Sequence, residues 1–286
     1  SFSNKFDKEI KRIGIKKILI PSKRAIFAFM KIVRFYKKAK PDLILSLQTH
    51  ANVISLLLNM FFFQNKLKVI CCERISITRY EWNLKGRLII LLAKLIYRHS
   101  KLVICNSKEL SKEFKTLSKN LKVIHIYNPT LNSNYNLLSK KFKIKAEPFI
   151  KKNKPILFSL GRLDYNKNNI MLLKAYNKIK DKIKCNIVLM GDGNQKKMLF
   201  DYAKKNNFEK NLFIFGFQKN PYPYLLKSDI LIHTSRTEGL PNVLIEGLTL
   251  KRFVISTKCP TGPKEILLNG KAGFLVNNDD YEDLAN

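Results

Sequence analysis

The sequence predicts an α/β protein of two domains, each with parallel strands that alternate with helices. Short apolar runs of the kind that form buried strands are separated by longer amphipathic stretches along most of the chain. A chain of 286 residues is long enough for two domains of ordinary size. The alternation is lost between residues 130 and 154, which are rich in Asn, Ser and Lys. We therefore predict Rossmann-like domains at residues 1–135 and 155–286, joined by a linker at residues 136–154.

The first domain is predicted to have polar residues at the ends of its strands. Its predicted strands are Ile15–Ile20, Asp42–Leu47, Lys68–Cys72, Leu102–Cys105 and Val123–Tyr127. Its predicted helices are the basic, amphipathic Arg24–Lys38, a segment that runs through Leu58, Gly86–Arg98 and Lys108–Leu117. Ligands of parallel sheets bind at the carboxyl ends of the strands, so His50, Glu73 and Arg74 are candidate binding residues. His50 could equally cap its strand, and Glu73 could instead pair with Arg74 or a lysine.

The second domain repeats the alternation of strands and helices. Its predicted strands are Ile156–Leu160, Ile187–Met190, Leu212–Phe215, Asp229–Ser235 and Phe253–Ser256. Its predicted helices include Tyr222–Leu226, one that begins near Pro263 and a final one at Asp280–Asn286. Gly161, Gly191 and Gly216 each follow a predicted strand, where glycine permits a tight turn. Such glycines alone are a weak functional signal, because any strand-to-helix turn favours them.

Residues 229–247, DILIHTSRTEGLPNVLIEG, predict an anion site between a strand and a helix. A polar turn precedes Pro241, which suits a first helical position. Backbone amides and the positive end of the helix dipole would then face a ligand at the turn, which includes Gly239, Leu240 and Asn242. Glu238 and Glu246 frame the turn and would repel phosphate, so sugar hydroxyls are their natural partners. Taken singly, each could be an ordinary acid near a helix start.

A second anion signal is the GRLDYNK stretch after the strand Ile156–Leu160. Arg162 and Lys167 lie five residues apart on one predicted turn, which suits a diphosphate. Arginine can hold two oxygens, and lysine supplies a point charge. The alternative is that both are solvated surface cations in a very basic chain.

These motifs resemble those of the family 4 retaining glycosyltransferases, which have the two-domain GT-B fold. EGLPNVLIE resembles the family signature, and GRL…K resembles its donor pyrophosphate site, with Asn168 in place of the commoner glycine. The resemblance implies a nucleotide-sugar donor whose sugar is held by Glu238 and whose ribose is held by Glu246. It also implies that Gly191 lies near the donor and that Gly216 lies where the nucleotide base is received.

Other stretches resemble family members that act on bacterial surface glycans. KPDLILSLQTHAN, VICCER, LVICNS and IYNP resemble parts of a first domain that receives the acceptor, and CPTGPKEIL resembles transferases of lipopolysaccharide or lipid-linked oligosaccharides. The resemblance implies acceptor-side roles for His50, Glu73 and Arg74, although many members carry histidine where Arg74 stands. Both chain ends look cut, so we expect an incomplete N-terminal domain and a missing C-terminal tail. The alternative is a divergent enzyme that has lost these elements.

The predicted function is transfer of a sugar, with retention of configuration, from a UDP-sugar to a hydroxyl of a lipid-linked or surface glycan. Glu238, Arg162 and Lys167 are the predicted catalytic residues. No metal ligand spacing is apparent, so we expect neither a metal nor another cofactor. We expect a cytoplasmic protein with peripheral contact to the inner face of the plasma membrane. Two alternatives stay open: a non-catalytic basic module that binds nucleic acid or anionic membrane, and an inactive transferase fragment.

The formal net charge of +33 allows several interpretations. Clustered basic residues can bind nucleic acid or an anionic membrane, and a lysine-rich coding bias would give the same surplus. Only 10 of the 54 basic residues are arginine, which argues against sequence-specific reading of nucleic acid. The five cysteines show no metal-binding spacing and are predicted to be buried free thiols. The apolar runs Val53–Phe63 and Leu88–Tyr97 are too short or interrupted to span a bilayer.

Overall fold

The computed structural model describes residues 25–82, 84–130 and 154–286. The predicted strand Ile15–Ile20 and the predicted linker, apart from Lys154, lie outside the described residues. Within them the chain forms two parallel sheets, one in each half, so the predicted α/β class is confirmed. The domain boundaries themselves stay a prediction.

The sheet of the first half has strands in the spatial order β1-β2-β3-β4, all parallel. Its strands are β1 Leu43–Leu47, β2 Lys68–Glu73, β3 Leu102–Cys105 and β4 Val123–His125. Its helices are α1 Ala25–Ala39, α2 Thr49–Phe63, α3 Leu84–Ile96 and α4 Lys108–Lys115, with 3₁₀ turns at Ile77–Trp82 and Tyr97–His99. Apolar residues of β2 and β3 pack against α2, α3 and α4 in one core. Burial of these residues is what holds the half together.

The sheet of the second half has the order β10-β9-β8-β5-β6-β7, again all parallel. Its strands are β5 Ile156–Leu160, β6 Asn186–Met190, β7 Leu212–Phe215, β8 Ile230–His233, β9 Phe253–Thr257 and β10 Phe274–Val276. Its helices are α5 Asn169–Ile179, α6 Lys196–Lys205, α7 Tyr222–Lys227, α8 Asn242–Thr249, α9 Pro263–Ile266 and α10 Tyr281–Ala285, with 3₁₀ turns at Glu209–Asn211 and Leu268–Gly270. Two apolar clusters pack on this sheet.

The strand order of the second sheet creates a crevice between β5 and β8. The chain moves outward through β6 and β7, and then returns to the other side of β5 to form β8. At such a reversal the loops after the two central strands diverge and leave room for a ligand at the carboxyl ends. The loops that follow β5 and β8 are the two stretches from which the sequence predicts an anion site.

Glu73 at the end of β2 lies in the interior and not on a binding surface. It is 1% exposed and accepts hydrogen bonds from Thr49 Oγ1 (2.8 Å), Asn52 Nδ2 (2.7 Å) and the Tyr97 hydroxyl. Burial raises the pKa of this carboxyl to about 7, although the three hydrogen bonds oppose the shift. The predicted acceptor contact of Glu73 is therefore corrected, because its oxygens are shielded and already bonded within the first domain.

The raised pKa of Glu73 makes stability depend on pH. Because the folded-state value lies above the unfolded one, ionisation favours unfolding, and stability is lost as pH rises from about 4.5 through about 7. We expect Glu73→Gln to remove up to about 3 kcal/mol of this loss. Thermal unfolding of both proteins across this range measures the difference. Glu81→Gln, at an exposed acid, is the matched control. Parallel curves for the wild type and Glu73→Gln would contradict the assignment.

Candidate active site

A largely buried ion pair joins the two loops at the crevice. Lys167, from the loop between β5 and α5, places its Nζ 2.6 Å from Oε1 of Glu238, from the loop between β8 and α8. The two side chains are only 21% and 13% exposed. In such a water-poor environment their attraction is stronger than at the surface, and loss of either partner would leave an unpaired charge. The ion pair therefore fixes both loops relative to each other.

His233 at the end of β8 completes this group. It is 4% exposed, with Nε2 3.2 Å from Glu238 Oε1 and Nδ1 2.9 Å from the Ser256 hydroxyl. Burial lowers the pKa of His233, with Glu238 acting in the opposite direction. A carboxylate can only accept, so Nε2 carries the hydrogen in the contact with Glu238. His233 thus holds Glu238 from the core side as a neutral donor, a role the sequence analysis does not assign to it.

Glu238 is held as an anion. Burial alone would raise the pKa of its carboxyl, but the Lys167 ammonium and the His233 hydrogen bond outweigh burial and hold that pKa far below its usual range. Proton transfer from Glu238 is therefore excluded at ordinary pH. Its chemistry is to accept hydrogen bonds, for which hydroxyl groups of a ligand are suitable donors.

The loop that carries Lys167 is shaped by residues with unusual backbone angles. Gly161 has φ +155°, and a Cβ there would lie 3.3 Å from Cε of Lys167. Asn168 has φ 50° and ψ 39°, in the left-handed region, and its amide donates to Asp279 Oδ1 (2.8 Å). Asparagine and glycine tolerate this region better than other residues. The left-handed turn therefore explains why asparagine can stand where the resembled family commonly has glycine.

Gly191 supports this loop from the β6 side. Its φ is +140°, and a Cβ there would lie 1.9 Å from the carbonyl oxygen of Gly161. At Gly216, by contrast, a Cβ would meet the Asp192 carboxylate oxygens at 3.4 Å, an ordinary contact. Gly191 is thus required for the close approach of two backbones. The predicted donor contacts of Gly191 and Gly216 stay predictions.

The remaining predicted donor residues occupy different surroundings. Arg162 is 62% exposed and pairs with Asp164 in its own loop at 3.1 Å, so it is not part of the Lys167–Glu238 group. Glu246 lies half-buried on α8 and hydrogen-bonds the Tyr222 side chain at the start of α7. Burial raises the pKa of Glu246, while the bond with Tyr222 lowers it. Glu238 therefore contacts the loop after β5, whereas Glu246 contacts the start of α7.

The turn at residues 239–242 contacts the first domain. Gly239 forms an antiparallel bridge with Ile75, and a Cβ on Gly239 would lie 2.1 Å from the carbonyl oxygen of Arg74. Asn242 Oδ1 accepts from Asn128 Nδ2 (3.0 Å) and Thr130 Oγ1 (3.2 Å). Leu240 and Pro241 between them are buried. Anion binding by this turn stays a prediction, since part of its polar surface is already used between the halves.

Two glutamates cap helix starts across the same boundary. Glu265 Oε1 and Oε2 accept from the backbone amides of Lys108 and Glu109 at the start of α4, each at 3.1 Å. In return, Glu109 Oε2 accepts from the backbone amide of Gly262 at 2.6 Å, just before α9. The Tyr127 hydroxyl also donates to Glu265. Carboxylates at helix starts satisfy amides that lack an intrahelical partner, so each half stabilises a helix of the other.

The predicted acceptor residues other than Glu73 lie on the surface of the first domain. Arg74 is exposed directly after β2, and its carbonyl faces Gly239 across the boundary. His50 is exposed in the first turn of α2. Arg74 is thus placed beside the second domain, whereas nothing in the structure brings His50 to the Lys167–Glu238 group. Among the described residues, no cluster of three or more His, Cys, Asp or Glu side chains could hold a metal ion.

The two parallel sheets, with a polar group at the crevice of the second, define a GT-B fold. The structure of HepE from Anabaena in complex with UDP-glucose superposes with a TM-score of 0.74 and 20% identity, covering 98% of this chain and 77% of that one. The predicted GT-B fold is therefore confirmed. A family model described as glycosyl transferases group 1 matches residues 140–286. The chain belongs to this glycosyltransferase family.

Relatives of known sequence agree with the family assignment. An uncharacterized glycosyltransferase of Methanocaldococcus jannaschii is 31% identical over 255 residues, which cover 83% of this chain and 60% of the relative. The N-acetylgalactosamine-N,N'-diacetylbacillosaminyl-diphospho-undecaprenol 4-alpha-N-acetylgalactosaminyltransferase of Campylobacter jejuni is 36% identical over 123 residues, 43% of this chain and 33% of that enzyme. The chain thus spans only part of the length of these relatives.

The close backbone approach at Gly191 yields a test. We expect Gly191→Ala to lower stability by about 2 kcal/mol or more, because the new Cβ would overlap the Gly161 carbonyl and occupy a strained φ. Gly216→Ala, with its Cβ at ordinary contact distance, should change stability by less than about 0.5 kcal/mol. Thermal or denaturant unfolding measures both. Equal losses in the two variants would show that the Gly161–Gly191 contact does not support the loop.

Proposed function

We propose that the chain is a retaining glycosyltransferase that moves a sugar from a UDP-sugar to a hydroxyl of a lipid-linked or surface glycan. The observation that carries the proposal is the largely buried Lys167–Glu238 pair at the crevice between β5 and β8. It sets a cation and a permanent anion side by side where parallel sheets bind ligands. A sugar diphosphate needs both kinds of partner: cations for its phosphates and acceptors for its hydroxyls.

Lys167 would stabilise the leaving group. As the bond between the sugar C1 and the diphosphate oxygen breaks, its electron pair stays on the diphosphate, and negative charge grows there. The Lys167 ammonium, with the exposed Arg162 of the same loop, would balance that charge. The acceptor oxygen bonds to C1 from the face that the diphosphate leaves, and its proton passes to the departing diphosphate. Because these cations supply the positive charge, we expect no metal ion in the reaction.

Glu238 and Glu246 would orient the donor at two points. Glu238 stays ionised and can accept hydrogen bonds from hydroxyls of the transferred sugar. Glu246, about one and a half helical turns further along α8 than Pro241, would hold the ribose together with Tyr222. Their different neighbours fit the two ends of one extended ligand.

The relatives support the finer choice of substrates. HepE is bound to UDP-glucose in its structure, which supports a UDP-sugar donor. The Campylobacter relative is named for an acceptor on diphospho-undecaprenol, which supports a lipid-linked acceptor. Such an acceptor lies at a membrane, so we propose a cytoplasmic protein in peripheral contact with anionic lipid. None of the helices within the described residues is long and apolar enough to cross a membrane.

A donor-binding assay tests the proposal. We expect one UDP-sugar to raise the melting temperature, with a stabilisation of about 2.7 kcal/mol at one hundred times its Kd.

Lys167→Ala should slow turnover about 100-fold or more by removing charge stabilisation of the leaving group. Each variant's ligand-induced shift is compared with its own melting temperature, because Lys167→Ala also leaves Glu238 with one partner fewer. Glu246→Ala should weaken donor binding.

Lys204→Ala, at an exposed lysine on α6, is the matched control and should behave like the wild type. If no nucleotide sugar stabilises the protein while duplex DNA binds in a salt-sensitive way, the chain is a basic binding module and the transferase proposal is wrong.

A further inference from the structure

Helix α3 is apolar on two opposite sides. Gly86, Ala93 and Ile96 are buried against the first domain, as expected for a helix that packs on a sheet. The opposite side carries Leu84, Leu88, Leu91 and Leu95, which we call the leucine ridge. An ordinary surface helix is polar on its outer side. The leucine ridge therefore indicates that this side is covered by something other than water.

The leucine ridge is continuous and strongly exposed. Its members are 82%, 56%, 54% and 55% exposed in chain order. Their spacing of four, three and four residues keeps them on one side of the helix along its whole length. Contiguous exposed apolar surface of this kind marks a contact site for a protein or a membrane.

Basic residues flank the leucine ridge. Lys85, Arg87 and Lys94 are exposed on α3, and Arg98 is exposed in the 3₁₀ turn that follows. On a helical projection, Arg87, Lys94 and Arg98 lie on one side of the ridge and Lys85 on the other. The helix contains no acidic residue. The surface around the ridge is therefore complementary to negative charge.

We propose that the leucine ridge lies against an anionic lipid bilayer, with the leucines at the acyl boundary and the flanking Lys and Arg at the headgroups. An apolar strip bordered by basic side chains is the arrangement by which interfacial helices bind anionic membranes. Lysine and arginine keep their charges at the headgroups while their stems follow the apolar surface. Each basic residue near such a surface adds to the attraction.

A second copy of the chain fits this surface less well. The ridge has the spacing of a two-helix coiled coil, in which residues beside the seam decide whether two helices pair. Those seam-flanking positions hold Lys85, Arg87, Leu92 and Lys94. Two such helices would bring basic residues together without an acid on either side, which is unfavourable. An anionic bilayer removes this repulsion, and a second copy would increase it.

The inference extends the proposed function by naming the surface that meets the membrane. It rests on that function only in placing the leucine ridge and a lipid-linked acceptor at the same bilayer. Lipid binding needs neither the donor nor the Lys167–Glu238 pair, so the two proposals fail separately. If the protein binds vesicles through α3 but binds no UDP-sugar, the membrane proposal stands and the transferase proposal fails.

Vesicle sedimentation of the full chain tests the surface. We expect the protein to sediment with phosphatidylcholine–phosphatidylglycerol vesicles and to stay in solution with pure phosphatidylcholine. Leu88→Gln with Leu91→Gln should lower the partition of the protein into vesicles about tenfold, because two leucines that would enter the bilayer are lost. Lys85→Glu with Lys94→Glu should lower it by at least about tenfold through charge reversal. These side chains are exposed, and circular dichroism with thermal unfolding checks that the variants fold.

Helix α6 supplies matched controls in the second half. Met198→Gln with Phe200→Gln alters two exposed apolar residues, and Lys204→Glu with Lys205→Glu reverses two exposed charges. Both should bind vesicles like the wild type. Equal losses in the α3 and α6 charge variants would mean diffuse attraction and overturn the proposal. The proposal is also overturned if the wild type does not bind anionic vesicles. The same holds if the wild type forms a dimer and the Leu88→Gln with Leu91→Gln variant is a monomer.

Discussion

The buried carboxylate of Glu238 sets the main constraint on the second domain. An anion that is 13% exposed must have a counter-charge and hydrogen-bond donors, or it would cost several kcal/mol. Lys167 and His233 supply them from the loop after β5 and from the end of β8. The left-handed Asn168 and the Gly161–Gly191 contact hold the lysine loop in place. Much of the unusual backbone near the crevice thus serves a single ion pair.

The segment that bears Glu238 also joins the two halves. Its carbonyl oxygen accepts from the amide of Ser76, while its carboxylate faces Lys167. The next residue, Gly239, has no room for a side chain because the backbone after β2 lies against it. The reciprocal caps of Glu109 and Glu265 and the side-chain contacts of Asn242 add further polar bonds between the halves. Such polar contacts can exchange with water, as is common at interfaces between domains of one chain.

The sequence predicts strands well and side-chain directions poorly. Most predicted strands match the structure within one or two residues, because short apolar runs between polar segments leave little choice. The three-residue β10 was missed, since so short a run gives no periodic signal. The sequence locates Glu73 at the end of its strand but does not show that its side chain points into the interior, since buried and exposed acids after a strand look alike in sequence. The sequence indicates Lys167 and Glu238 separately as site residues, but it does not show that they contact each other across 71 residues.

The large positive charge of the chain has several possible explanations, which the structure helps to separate. The Lys167–Glu238 group uses a single lysine, so this site does not explain a surplus of +33. Lysine-rich coding raises basic residues everywhere on the surface and cannot by itself distinguish one face from another. It also gives no reason for four leucines in register on the outer side of α3. The order of apolar residues along a helix, rather than the amount of charge, is therefore what distinguishes the proposed lipid-binding side of α3 from a uniformly basic surface.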